Sequence, residues 1–112
     1  MTVVAIPTKR IRDWASFHDV FVELLGFPSF YGRNMNAWID CMTSIDDPDA
    51  AMSRVHAGDG GIVILQLDDV DDFAARLPEQ YAAILEASAF VNWRRIEQGG
   101  GAVLALSFFR RP

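Results

Sequence analysis

Apolar residues recur along this chain in two rhythms. Thr2–Ile6, "TVVAI", is a short apolar run stopped by Pro7, and it predicts a buried first strand. The rhythm then changes. Trp14, Phe17, Phe21, Leu24 and Leu25 fall at helical offsets on one stripe, with Asp13 placed to cap the helix and Gly26 and Pro28 placed to end it. "FPSFYGRN" reads as a loop. Asn34 is placed to cap a second helix running from Met35 to Thr43, in which Met35, Trp38 and Met42 face inward. "SIDDPDA" breaks that helix and leaves room for a short helical turn before Val55. A Gly58–Gly61 turn then leads into "IVILQL" (Ile62–Leu67), which is apolar almost throughout, as doubly buried parallel strands are.

"DDVDDF" opens a further helical segment with acids where a helix N-terminus favours them. Pro78 restarts the helix as its first residue. Leu77, Tyr81, Ile84, Leu85 and Ser88 continue one face towards Trp93. "QGGG" is a turn, "AVLALSFF" (Ala102–Phe109) is the last strand, centred on Val103–Phe108, and "RRP" is a solvated tail. Helical crossovers between consecutive strands argue for parallel pairing. The expected fold is α/β: a three-stranded parallel sheet with helices packed on it, one domain over residues 1–112, with Trp14, Phe17, Phe21, Trp38 and Leu65 buried.

Composition narrows the function classes. The chain has 112 residues, of which 51% are apolar and 22% charged, a globular balance with enough aromatic side chains to fill a core. No apolar run approaches the roughly 18 residues of a membrane span. The first ten residues lack a basic segment followed by an apolar one, so a mature, cytoplasmic protein is expected. The net charge of −5 disfavours direct nucleic-acid binding and suits a basic protein partner.

Candidate chemistry is thin. The single cysteine, Cys41, has no disulfide partner and is expected to be a buried thiol. The glycine stretches precede strands, whereas a phosphate-cradling loop follows one. Asp46, Asp47 and Asp49, then Asp68, Asp69, Asp71 and Asp72, lack the alternation and terminal Glu of a calcium loop and read as solvated caps and turns. No third group accompanies His18, His56 and Cys41 to orient a nucleophile and base. Neither an enzyme nor a cofactor is expected.

The stretch from Gly26 to Asp47 holds more. Beside its inward stripe, the second helix carries another side made of Asn36, Ile39, Asp40 and Thr43. Phe30 and Tyr31 stand in the loop just before it. Two accounts fit: an ordinary amphipathic helix with solvated polar groups, or a binding platform of rigid aromatics beside a carboxylate. Aromatics supply contact area at low entropy cost, and a carboxylate supplies a charge-assisted anchor.

"FHDVFVELLGFPSFYGRNMNAWIDCMT" (Phe17–Thr43) resembles the barstar family, intracellular inhibitors of the ribonuclease barnase. The shared pattern is a His on the first helix, then leucine-rich residues, then Pro28, Phe30, Tyr31, Gly32, Asn34, Ala37 and Asp40 in their spacing. The resemblance implies the same three-stranded parallel fold and a mechanism. The loop and second helix would plug a ribonuclease active site, with Asp40 in the place of a substrate phosphate among the enzyme's cations. Phe30 would supply the neighbouring aromatic contact, Tyr31 and Gly32 would shape the loop, and Asn34 would cap the helix. Asn36 stands where the family's pattern has an acid, and Ile39 where it has an exposed aromatic. An acidic contact from the last helix has no counterpart among Arg94, Arg95 and Glu97. The implied surface is Phe30, Tyr31, Gly32, Asn34, Asn36, Ile39, Asp40 and Thr43, less acidic than the family pattern. The implied partner is a basic, barnase-like ribonuclease; immunity to a different toxin, or binding of another protein, is the alternative.

Overall fold

A computed structural model describes residues 2–58 and 61–111 of the chain. Three parallel strands, β1 (Thr2–Ile6), β2 (Val63–Leu67) and β3 (Leu104–Ser107), form one sheet in the order β1-β2-β3. Four helices accompany it: α1 (Trp14–Leu25), α2 (Met35–Thr43), α3 (Val70–Arg76) and α4 (Pro78–Glu97). This is the expected α/β architecture. Short 3-10 turns occupy Thr8–Arg10 and Pro48–Ala50, the latter inside the segment expected to hold a helical turn. Asp59 and Gly60 of the Gly58–Gly61 turn, and Pro112 of the tail, lie outside the described residues.

The register aligns Val4, Leu65 and Leu106 across the sheet, and Ile6 with Leu67. Side chains alternate along a strand, so these residues share one face with Val63 and Leu104. That face is the core. The opposite face carries Val3, Ala5 and Gln66, which are exposed, and Ile64, Ala105 and Ser107, which are half-buried. The expectation of a strand buried on both sides is therefore corrected: β2 is fully covered on one face only. The last strand is shorter than expected: it pairs with β2 only from Leu104 to Ser107, and Phe108 and Phe109 beyond it are exposed. Asn92 of α4 closes the start of β3, its Oδ1 accepting from Val103 N at 3.0 Å and Leu104 N at 3.1 Å while its Nδ2 donates to Leu104 O at 2.9 Å.

Phe17, Phe21, Trp38 and Leu65 are fully buried, as expected, but Trp14 is half-buried. It stands in the first turn of α1, and its indole N–H donates to Glu79 at 3.1 Å, a partner found at the solvent edge. The buried face of α4 runs through Ile84, Ala87, Ser88 and Val91 and does not reach Trp93, which is 58% exposed. The acids around α3 are only partly caps. Asp69, Asp71 and Asp72 pair with Lys9, Arg110 and Arg76, and the N-terminus of α3 receives no side-chain hydrogen bond.

Candidate functional site

α1 and its exit turn prepare the site. Asp13 accepts from Ser16 N at 2.8 Å and Ser16 Oγ accepts from Asp13 N at 3.0 Å, a reciprocal cap that starts the helix. Gly26 ends it at φ 68°, in the left-handed region, where a Cβ would stand 2.6 Å from Arg54 Cγ. From there the chain turns back over α1. Phe27 and Tyr31 are buried with their ring centroids 4.9 Å apart, and the Tyr31 hydroxyl lies 2.6 Å from His18 Nδ1. Arg33 donates to Ala15 O at 2.9 Å and to Asp19 at 2.7 Å. The loop is thus tied to α1 by the edge-to-face contact of Tyr31 with His18, a buried hydrogen bond and a guanidinium bridge.

These anchors separate two residues that the sequence placed together. Phe30 is 72% exposed, whereas Tyr31 is only 8% exposed with its hydroxyl engaged by His18. Tyr31 lies beneath the surface and holds the loop, in keeping with the shaping role that the resemblance implies for it. Burial, reinforced by the Arg33 guanidinium, pushes the His18 imidazole below its ordinary pKa, with Asp19 opposing. In the neutral ring the tautomer decides whether Nδ1 accepts from the Tyr31 hydroxyl or donates to it. Burial likewise raises the Tyr31 phenol, with Cys41 adding to the rise. Cys41 is buried, as expected, and burial pushes its thiol up to about 11, with Asp40 contributing. It is a protonated thiol near neutral pH, unsuited to attack as a thiolate.

α2 begins where Asn34 Oδ1 accepts from Ala37 N at 2.8 Å, while Asn34 Nδ2 donates to Gly32 O at 3.3 Å. Trp38 and Met42 are fully buried, and Trp38 meets Phe21 edge to face at a centroid distance of 5.6 Å. This inward stripe turns Asn36 and Asp40, one turn apart, to solvent. Gly32 and Asn34 are also exposed, and Ile39 and Thr43 are half-buried at the rim. The structure therefore places Phe30, Gly32, Asn34, Asn36 and Asp40 at the surface.

α4 supplies what sequence reasoning missed. Arg94 Nη2 donates to Asp40 Oδ1 at 3.3 Å and also to Thr43 Oγ1, and Thr43 in turn donates to Ile39 O at 2.6 Å. The Asp40 side chain is 63% exposed and that of Arg94 28%. Ile39 lines a groove of about 310 Å³ with Met35, Ala83, Glu86, Ala87 and Phe90. Exposed Phe90 and Trp93 stack at 5.9 Å on the same helix. Glu86, Phe90 and Arg94, each four residues apart, mark this second face of α4 in the sequence but do not say what lies across from it. Among the described residues no group of three His, Cys, Asp or Glu side chains could hold a metal ion. No described helix is long and apolar enough to cross a membrane.

No curated protein matches the chain. A family model does: that described as "Barstar (barnase inhibitor)", over residues 1–102. The match extends well beyond the Phe17–Thr43 motif and takes in β1, β2 and both helical crossovers, stopping just short of β3. With the parallel sheet, the tethered loop and the capped α2 in place, the chain belongs to the barstar family.

Proposed function

We propose that this protein inhibits a basic, barnase-like ribonuclease and closes its active site with the loop and helix from Phe30 to Thr43. The observation that carries the proposal is Asp40: an exposed carboxylate on a helix whose other face is locked into the core, in an acidic chain of the barstar family. A carboxylate resembles one face of a phosphate. Docked among the cations that hold an RNA phosphate, it exchanges its hydration for charge-assisted hydrogen bonds and competes with the substrate. Phe30, with its flanks pinned by Tyr31 and Arg33, offers a rigid apolar contact beside it. Inhibition is steric and electrostatic and needs neither a cofactor nor a catalytic group. The enzyme would be one made by the same cell, which the inhibitor protects in the manner of an antitoxin.

Inhibition of RNA cleavage by barnase, with Asp40→Ala as the variant, tests the proposal. Removing the carboxylate leaves the enzyme's cations buried and unpaired. The expected loss is on the order of 2–5 kcal/mol, a general range for such truncations to which this family's own complex is one contributor. Thermal melting of Asp40→Ala should barely move, since an exposed ion pair contributes about 0–1 kcal/mol. Full inhibition by Asp40→Ala, or its unfolding, would reject the role of Asp40. Recovery of a toxin other than a ribonuclease, with the protein as bait in native cells, would favour the alternative target.

A further inference from the structure

Two adjacent arginines on α4 have opposite surroundings. Arg95 is satisfied within the fold: Nε donates to Gly101 O at 2.9 Å, Nη1 to Thr43 O and Asp46 Oδ1 at 3.0 Å each, and Nη2 to Asp46 Oδ2 at 2.5 Å. Arg94 is held yet incompletely satisfied. Among the described residues its side-chain hydrogen bonds leave from Nη2 alone, to Asp40 and Thr43, so that Nη1 makes none. Its Nε has no partner among the described residues and, being buried, lies out of reach of a docking protein. Its guanidinium carbon stands 5.6 Å from the Phe90 ring centroid, within cation–π range. Phe90, Thr43 and Asp40 therefore fix a positive charge beside the one exposed carboxylate on α2, and its Nη1 donors are unused among the described residues.

We propose that Arg94 is a specificity-determining residue of the partner surface. It stays paired with Asp40 when a partner docks, and so selects a partner that sets a hydrogen-bond acceptor, a carboxylate or carbonyl, beside the cation it offers to Asp40. The proposal rests on the inhibitor reading above. Arg94 keeps its place because leaving would forfeit the ring contact and both hydrogen bonds. Asp40 remains available because it is the more exposed member of the pair and only Oδ1 is engaged by Arg94. The surface is then bipolar, with a carboxylate edge next to a guanidinium edge. An enzyme with an unbroken cluster of cations meets like charge at Arg94, which opposes docking; one with an acceptor at that point satisfies the free guanidinium donors.

The test uses the full-length protein and a panel of barnase variants in which each active-site Arg and Lys is replaced in turn by Gln and by Glu. Binding is measured at low and moderate salt, which also serves panel members that lose catalysis. Wild-type inhibitor should bind at least one Gln or Glu member more tightly than unmodified barnase. Arg94→Gln should reverse that order and bind unmodified barnase about tenfold or more tighter than wild type does, the gain shrinking as salt rises. Arg94→Met, which keeps an aliphatic stem against Phe90, should behave as Arg94→Gln and guards against a folding defect in either. If Asp40→Ala weakens binding while both Arg94 variants rank the panel as wild type does, the role of Arg94 is overturned and the inhibitor reading stands. If Asp40→Ala binds every member as wild type does, the inhibitor reading falls and this proposal with it.

Discussion

Phe30 and Tyr31 are neighbours in the chain and opposite in environment, one open to solvent and the other sealed against His18. Their division of labour follows from chemistry. Tyrosine buries its ring and still needs a partner for its hydroxyl, and His18 supplies one; Phe30, with no partner across from it, is left as exposed apolar area for a contact. Tyr31→Phe should therefore cost stability, because it leaves a buried imidazole nitrogen without its partner. A loss of about 1–3 kcal/mol is expected in urea denaturation. Unchanged stability would mean that the His18–Tyr31 bond does not hold the loop. The aromatic pair was visible in the sequence, but its split was not. Which ring is buried depends on where the loop crosses α1, a contact between residues far apart in the chain.

α2 spans nine residues, too few to persist as an isolated helix in water. It stands because Trp38 and Met42 are buried and because Asn34 satisfies a backbone N–H at its start. Burying a side chain such as Met42 contributes about 1.5–3 kcal/mol. Asn34→Ala should destabilise the protein by about 1 kcal/mol, within a usual range of about 0.5–2 kcal/mol, read as a lowered denaturation midpoint. Binding should weaken less than with Asp40→Ala, since the helix would fray at its start while the carboxylate lies further along. A midpoint at the wild-type value would show that packing alone sets the start of α2. This cap, and the inward Met35, Trp38 and Met42, were legible from local spacing. The approach of α4 to the other side of α2 was not, because Asp40 and Arg94 stand 54 positions apart in the chain.

At the scale of the molecule, charge and protonation govern behaviour. With a net charge of −5, association with a basic ribonuclease should slow as ionic strength rises, because screening shortens the reach of the attraction. Stopped-flow association rates with barnase across a salt series check this, and a flat series would remove electrostatic steering from the mechanism. Stability should also depend on pH through His18, whose pKa is lowered in the folded state by burial and by Arg33. Below its ordinary value of 6.5 the unfolded chain takes up a proton that the folded ring resists. The contribution of the neutral ring is thus fully present above that pH and is lost as pH falls towards the folded-state value. Denaturation midpoints of wild type and His18→Gln, measured from neutral to mildly acidic pH, should show a smaller acid loss in the variant. Equal pH dependence in the two would exclude His18 as the sensitive group.

Local order along the chain determined the strands, α1, α2, the Pro78 restart and the motif from Pro28 to Asp40. Each rests on residues within a few turns of one another, where spacing, capping and turn chemistry act directly. Tertiary structure alone decided three other things: that only one face of the parallel sheet is fully covered, that Tyr31 lies beneath Phe30's surface, and that Arg94 meets Asp40. The physical reason is common to them. Burial and ion pairing are set by what comes to lie across from a residue, and the apolar run of β2 reads the same whether one face or two will be covered. Arg94 and Asp40 are joined only once α2 and α4 pack side by side. Charge pairing at that range carries no periodic signature in the chain, so the sequence could mark Asp40 as a candidate without revealing the guanidinium beside it.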